Sequence, residues 1–192
     1  SASPTLKHVT VHTARAYQGG GMYFTTSGSR LEHVQVHDAT AAYGGGLQVL
    51  HSHLIMTNIM VVVSEGTYFR SNSLCIGFSS DRGSSWQGGK LQGCESKVGD
   101  TKRASSLSIY QDVDNYCDGV ALPLSISDVD IVSRSVVSND DNTYPAIAIV
   151  SKCLDKIAAT LTRVSVNGDS PSTSSDLYMF RTKQTPLLHS VA

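Results

Sequence analysis

Charge is scarce in this chain. Charged residues fill 16% of its 192 positions, against roughly 25% in an average globular domain. The formal net charge is −1. No field of one sign exists to draw in nucleic acid or an anionic membrane, so neither is expected as a partner. No apolar run approaches the ~20 residues of a membrane span, so no transmembrane segment is expected. The chain opens at Ser1 without Met or a signal-like stretch, which reads as a processed product or a fragment. None of the four cysteines forms a Cys-x-x-Cys pair, which argues against zinc. No Asn-x-Ser/Thr sequon occurs, and G-x-S-x-G, H-E-x-x-H and G-x-x-x-x-G-K-[ST] are all missing. A serine hydrolase elbow, a zincin helix and a phosphate loop are thereby set aside.

What the chain does have is hydrophobic residues, 40% of the total, and a repeat. Shifted by 25, His8-Val9-Thr10-Val11-His12 falls on His33-Val34-Gln35-Val36-His37, and Gly19, Gly20 and Gly21 fall on Gly44, Gly45 and Gly46. The unit is an apolar residue, two others, then two apolar positions flanking a polar one. It reads LKHVTV from Leu6, LEHVQV from Leu31, MTNIMV from Met56, ISDVDI from Ile126 and LTRVSV from Leu161. The gap between Met56 and Ile126 is twice the 35 between Ile126 and Leu161, which predicts a degenerate copy at Leu91, LQGCES. A second apolar strand follows each start: GMYF to Phe24, GLQV to Val49, Leu74-Cys75-Ile76, Leu107-Ser108-Ile109, Ala146 to Ile149 and Leu177 to Phe180. Period-two alternation bounded by Gly, Ser, Asn and Asp is the strand signature. The best helical candidate, Lys152 to Thr162, is overlapped by the LTRVSV strand.

Short strands at a fixed period predict an all-β fold, a right-handed parallel β-helix of about six coils with longer loops in the C-terminal half. Residues 1–192 read as one domain, with regular 25-residue coils over 6–55 and longer coils over 56–192. Inward ladders are expected at Val9, Val34, Ile59, Cys94, Val129 and Val164, and at Val11, Val36, Val61, Ser96, Ile131 and Val166. The glycine triplets read as corners, since glycine accepts positive φ and lets coils approach backbone to backbone. In the third coil Arg70-Ser71-Asn72 is expected to replace the triplet. Both ends show strand edges, so a segment of a longer solenoid, or a chain that stacks on further copies, is expected.

The unit V-x-V-x-x-A…G-G-G-[LM]-x-[VF] resembles the glycine-rich repeats of polymorphic-outer-membrane-protein and adhesin-type right-handed β-helices, which share the pectin-lyase-like fold. The match covers roughly residues 6–62. The resemblance implies a surface-exposed structural or adhesive role, with no catalytic residue to carry over. The GHG and RIK motifs of pectin-hydrolysing relatives are absent.

Candidate chemistry is thin. His8 and His33 should share one outward ladder and His12 and His37 another, with His51 and His53 near the following turn, a pattern that suits a metal or a proton switch and equally a polar ladder. Asp112, Asp114 and Asp118, with Asn115 and Gly119, could gather oxygens for calcium, or form a solvated turn. The run Asn139-Asp140-Asp141-Asn142 reads the same way. Asp128 and Asp130, with Arg163 one coil on, are the sole acid–base constellation that can be built. Trp86, in a loop SSWQGG, could stack on a sugar ring or pin its own loop. Cys117 and Cys153 sit at similar offsets in adjacent coils and form the preferred disulfide. Cys75–Cys94 is the remaining pair, weaker because Cys94 takes an inward position. Free buried thiols are the other reading. The function expected is a non-enzymatic structural or adhesive module at an extracellular or cell-surface location, working through protein–protein contacts. A glycan-binding or glycan-cleaving β-helix is the alternative.

Overall fold

The structure is a computed structural model that describes residues 3–62, 65–66, 73–79, 83–96, 105–111, 123–133, 147–151, 159–168, 177–180 and 188–191. These residues are all-β, without a helix, and every strand pairing is parallel. Three sheets share the strands. The large sheet runs Thr5–Lys7, Arg30–Glu32, Ile55–Val62, Ser85–Gln92, Leu124–Ser133, Ala159–Gly168 and Leu188–Val191, in sequence order. Thr10–His12 and Gln35–His37 extend it, the second lying on Ile55–Val62. A second sheet holds Arg15–Gln18, Thr40–Tyr43, Glu65–Gly66 and Glu95–Ser96. A third holds Met22–Thr25, Leu47–Leu50, Ser73–Ser79, Ser105–Gln111, Ile147–Ser151 and Leu177–Phe180.

The register explains the repeat. Leu6, Leu31, Met56, Trp86, Ile126, Leu161 and Leu188 are successive partners, so the repeat advances by 25, 25, 30, 40, 35 and 27 residues. The fourth copy therefore starts at Trp86, not Leu91. Its unit is Trp86-Gln87-Gly88-Gly89-Lys90-Leu91, and Leu91 fills the last apolar position, between Val61 and Ile131. Gly89 lies between Ile59 and Val129, where Cys94 was expected. In the third sheet Met22, Leu47, Ile76, Leu107, Ile147 and Leu177 are partners, with Phe24, Val49, Phe78, Ile109, Ile149 and Met179 two residues on. The third strand there uses Ile76 and Phe78, two residues later than Leu74-Cys75-Ile76. The last start in this register is Leu188. The buried members of these columns, Leu31, Met56, Trp86, Ile126, Leu161, Ile76 and Phe78 among them, belong to one core cluster. Parallel strands rich in β-branched and aliphatic residues bury that stripe against the facing sheets.

The spacing apolar-x-x-apolar is not simple alternation, and a bend makes it possible. His8, His33, Asn58, Gly88, Asp128 and Arg163 all have positive φ, between 49° and 71°. One left-handed residue per repeat kinks the strand, so the apolar side chains on both sides of it point to the core. Asn, Asp, His and Gly adopt this conformation most readily. Further left-handed positions recur at Thr13, Asp38 and Gly93, at Gly19 and Gly44, and at Thr26 and His51. The ladder continues through these kinks: His8 donates its N–H to the Glu32 carbonyl (2.9 Å), Thr13 to His37 (3.0 Å) and Thr26 to Leu50 (3.1 Å).

The glycine runs lie where the chain passes between sheets, Gly19 to Gly21 between Arg15–Gln18 and Met22–Thr25. Gly19 and Gly44 have φ of 54° and 58°. Gly20 has no room for a side chain: a Cβ would lie 2.7 Å from the Thr40 carbonyl oxygen and closer still to that of Gly45. In the third repeat the residues in these places are Ser73-Leu74-Cys75, because Leu47 pairs with Ile76 and Gly46 donates its N–H to the Cys75 carbonyl (2.9 Å). The expected substitute, Arg70-Ser71-Asn72, lies outside the described residues.

Candidate functional site

The outward face of the large sheet carries most of the polar side chains singled out by the sequence. At its start, Lys7 Nζ is 2.8 Å from Glu32 Oε2 and Arg30 Nε is 2.5 Å from Glu32 Oε1. The hydrogen bond from Lys7, then that from Arg30 and both positive charges, hold the Glu32 carboxyl below its usual range. The His8 and His33 rings stack with centroids 4.9 Å apart and planes 2° from parallel. His12 and His37 stack at 4.8 Å and 13°. Asn58 Nδ2 donates to His33 Nδ1 (3.5 Å), extending the first column by one repeat. His37 Nε2–H donates to Gln35 Oε1 (3.3 Å). Gln35 and Asn58 were not among the candidates; counting by 25 puts Asn58 one repeat after His33, but the contacts of both residues with the rings are seen only in the structure. His51 stands at a left-handed corner, and His53 donates its N–H to the Ser27 carbonyl (2.8 Å).

Toward the other end, Arg163 grips Asp128 with two bonds, Nε to Oδ1 at 2.5 Å and Nη2 to Oδ2 at 2.8 Å. That donor, first of all, lowers the Asp128 carboxyl from its ordinary value. Asp130 accepts from Ser165 Oγ (2.5 Å) and pairs in register with Lys90 and Ser165. The three expected acid–base residues thus do come together on adjacent strands. Each carboxylate accepts from a side chain one repeat on.

Trp86 is not a loop residue. It is inside Ser85–Gln92, is 1% exposed, and donates from Nε1 to the Gly88 carbonyl (3.0 Å). With its ring between Met56 and Ile126 it is a core side chain, and a sugar cannot stack on it. Cys75 and Cys94 form a disulfide, with Cα atoms 5.5 Å apart. Cys94 does point inward, and that is why it reaches Cys75. Glu95 pairs with Glu65 and Glu65 with Thr40, so Cys94 occupies the place of the buried Ala39. Cys75 occupies the place of Gly46. Two small residues have become a crosslink between the third and fourth repeats. Cys117, Cys153, Asp112, Asp114, Asp118 and the run Asn139 to Asn142 lie outside the described residues.

Among the described residues, no group of three or more His, Cys, Asp or Glu is arranged around a metal position, and no helix is long and apolar enough to cross a membrane. Comparison with protein-family models, with curated proteins and with solved structures finds no match to this chain.

Proposed function

We propose that the three parallel sheets are the faces of a right-handed parallel β-helix, and that the chain is a non-enzymatic structural or adhesive module of an extracellular or cell-surface assembly, acting through protein–protein contacts. The order of the strands supports the architecture. The chain passes from the large sheet to the second at Arg15–Gln18, to the third at Met22–Thr25, and returns to the large sheet at Arg30–Glu32. Every strand then lies parallel to its counterpart one repeat on.

One observation carries the functional reading. The outward polar groups of the large sheet are engaged along the stacking direction: Lys7 with Glu32, His8 with His33, His12 with His37, Asp128 with Arg163 and Asp130 with Ser165. Such a surface stiffens a stack. A catalytic carboxylate pair instead needs one group free to take a proton and the other to face the reacting carbon or its water. The buried disulfide fits an oxidising compartment.

The glycan-active alternative has one feature in its favour, the nearness of Asp128, Asp130 and Arg163. A polysaccharide depolymerisation panel, run beside a glycan array and a panel of purified cell-surface proteins, separates the two. We expect no release of sugar ends and saturable binding to at least one protein. Release that Asp128→Asn or Asp130→Asn abolishes would overturn the reading.

A further inference from the structure

We propose that His12 and His37 form a two-histidine site for a divalent transition-metal ion, with copper(II) preferred over zinc(II). Among the described residues there are two stacked histidine pairs, and in only one of them do both rings keep an open nitrogen. His33 Nδ1 accepts from Asn58 Nδ2, so the proton of the neutral ring sits on Nε2 and neither nitrogen offers a free lone pair. In His37 the arrangement is reversed. Nε2–H donates to Gln35 Oε1, which leaves the Nδ1 lone pair open. A ring N–H held by a carbonyl oxygen, with the other nitrogen free, is the support that a metal-bound imidazole needs.

The second ligand is one repeat away. His12 and His37 are register partners at the ends of Thr10–His12 and Gln35–His37, with ring centroids 4.8 Å apart. Two metal–nitrogen bonds of about 2.0–2.1 Å let two ring nitrogens lie at most about 4 Å apart. The rings must therefore swing together by roughly 1 Å and lose their parallel stack. His12 is exposed and His37 half-buried, and each ends its strand before a left-handed residue, Thr13 or Asp38, so the rings stand at the strand ends. Two imidazoles with water completing the shell suit copper(II), nickel(II) and zinc(II), and affinity should follow the general order in which copper exceeds zinc.

The test is a calorimetric titration of the full chain with copper(II) chloride and with zinc(II) chloride, alongside NMR of the imidazole side chains. The expected result is one saturable equivalent, tighter for copper, with the His12 and His37 ring signals moving as the stack opens. The His12→Asn/His37→Asn double variant should lose that equivalent, and Gln35→Leu should weaken it about tenfold. The His8→Asn/His33→Asn double variant should bind as the parent chain does. Circular dichroism on each variant confirms that the strands persist. Absence of saturable binding at millimolar metal overturns the proposal. So does binding that survives the His12/His37 double variant, which would place it on His51, His53 or His189, or binding lost equally in the His8/His33 variant.

Discussion

From Leu6 to Met56 the repeat keeps a step of 25; after Met56 it takes steps of 30, 40, 35 and 27. The large sheet does not register the change. Trp86 to Leu91 pairs with Met56 to Val61 and with Ile126 to Ile131, kink included. The added residues enter between the sheets. Met56 is followed by its third-sheet partner at Ile76, Trp86 by Leu107 and Ile126 by Ile147, against Met22 after Leu6. The corners change with the length. The regular repeats turn on Gly19-Gly20-Gly21 and Gly44-Gly45-Gly46, whereas in the first repeat to lengthen Cys75, in the place of Gly46, is already inside the strand Ser73–Ser79 and carries a disulfide. The large sheet acts as the invariant spine, and its connections absorb variation.

The spine should therefore be the most sensitive part of the molecule. Trp86→Ala empties the largest buried side chain of the ladder and should cost about 3–5 kcal/mol in chemical denaturation. Leu6→Ala, at the half-buried end of the same column, should cost far less. Equal costs would break the distinction between a packed interior and a loose first rung. Next comes the junction. Removing the disulfide as Cys75→Ala/Cys94→Ala, whose cysteines are 19 positions apart, should cost about 3 kcal/mol from loop closure alone. It should also raise hydrogen exchange in Ser73–Ser79 more than in Leu47–Leu50.

The part of the fold legible in the sequence was the part where aliphatic residues mark each position. Leu6, Leu31, Met56, Ile126 and Leu161 were recognisable as one column, and the glycine corners at 19 and 44 could be placed. The fourth repeat was hidden because its first apolar residue is a tryptophan and its second is Gly89. Leu91 looked like a start because it is the sole aliphatic residue in Trp86 to Leu91, and the assumption of equal steps reinforced the error. The left-handed column was hidden for a different reason. His, Asn, Gly, Asp and Arg share no side-chain property, only a backbone conformation. The two-residue gap between apolar positions was the available sign of a kink. For the candidate site, the histidine stacks and the Asp128–Arg163 pair followed from counting, whereas the Gln35 and Asn58 contacts depend on which way each ring nitrogen faces.

The corners give the next test. Gly20→Ala places a methyl group against the Gly45 and Thr40 carbonyls, both backbone, so relief requires the rungs to separate. We expect a loss of about 1–3 kcal/mol, typical of overpacking. Gly28→Ala, where the nearest atom is the exposed Ser3 hydroxyl oxygen at 3.0 Å, is the control and should change little. The opposite sign is expected at Thr13. It is a β-branched residue held at φ 53°, in the column where later repeats use Asp38 and Gly93. Thr13→Gly removes about 1–2 kcal/mol of left-handed strain and gives back about 0.5–1 in chain entropy. A net gain of about 0.5–1 kcal/mol in urea unfolding is expected.

The smallest effect sets one surface pair against another. Glu32 with Lys7 serves the regular repeats, and Asp128 with Arg163 the lengthened ones; all four groups lie on the solvent side. In both pairs the carboxyl is held below its ordinary range, chiefly by the hydrogen bond from its basic partner. A carboxyl lowered on folding adds stability above its unfolded-state value and loses it as pH falls through the folded-state value. A double-mutant cycle with Asp128→Asn and Arg163→Gln should therefore show a small favourable coupling that holds from neutral pH to the ordinary carboxylate range near about 4 and fades below it. The Lys7→Gln and Glu32→Gln cycle should behave alike in pH. It should be weaker, because Arg30 also reaches Glu32 at 2.5 Å and takes over part of the contact when Lys7 is gone. Added salt should shrink both couplings, as for exposed charges generally. A stronger coupling at Glu32 than at Asp128 would mean that the bidentate grip of Arg163 adds nothing to the lengthened repeats.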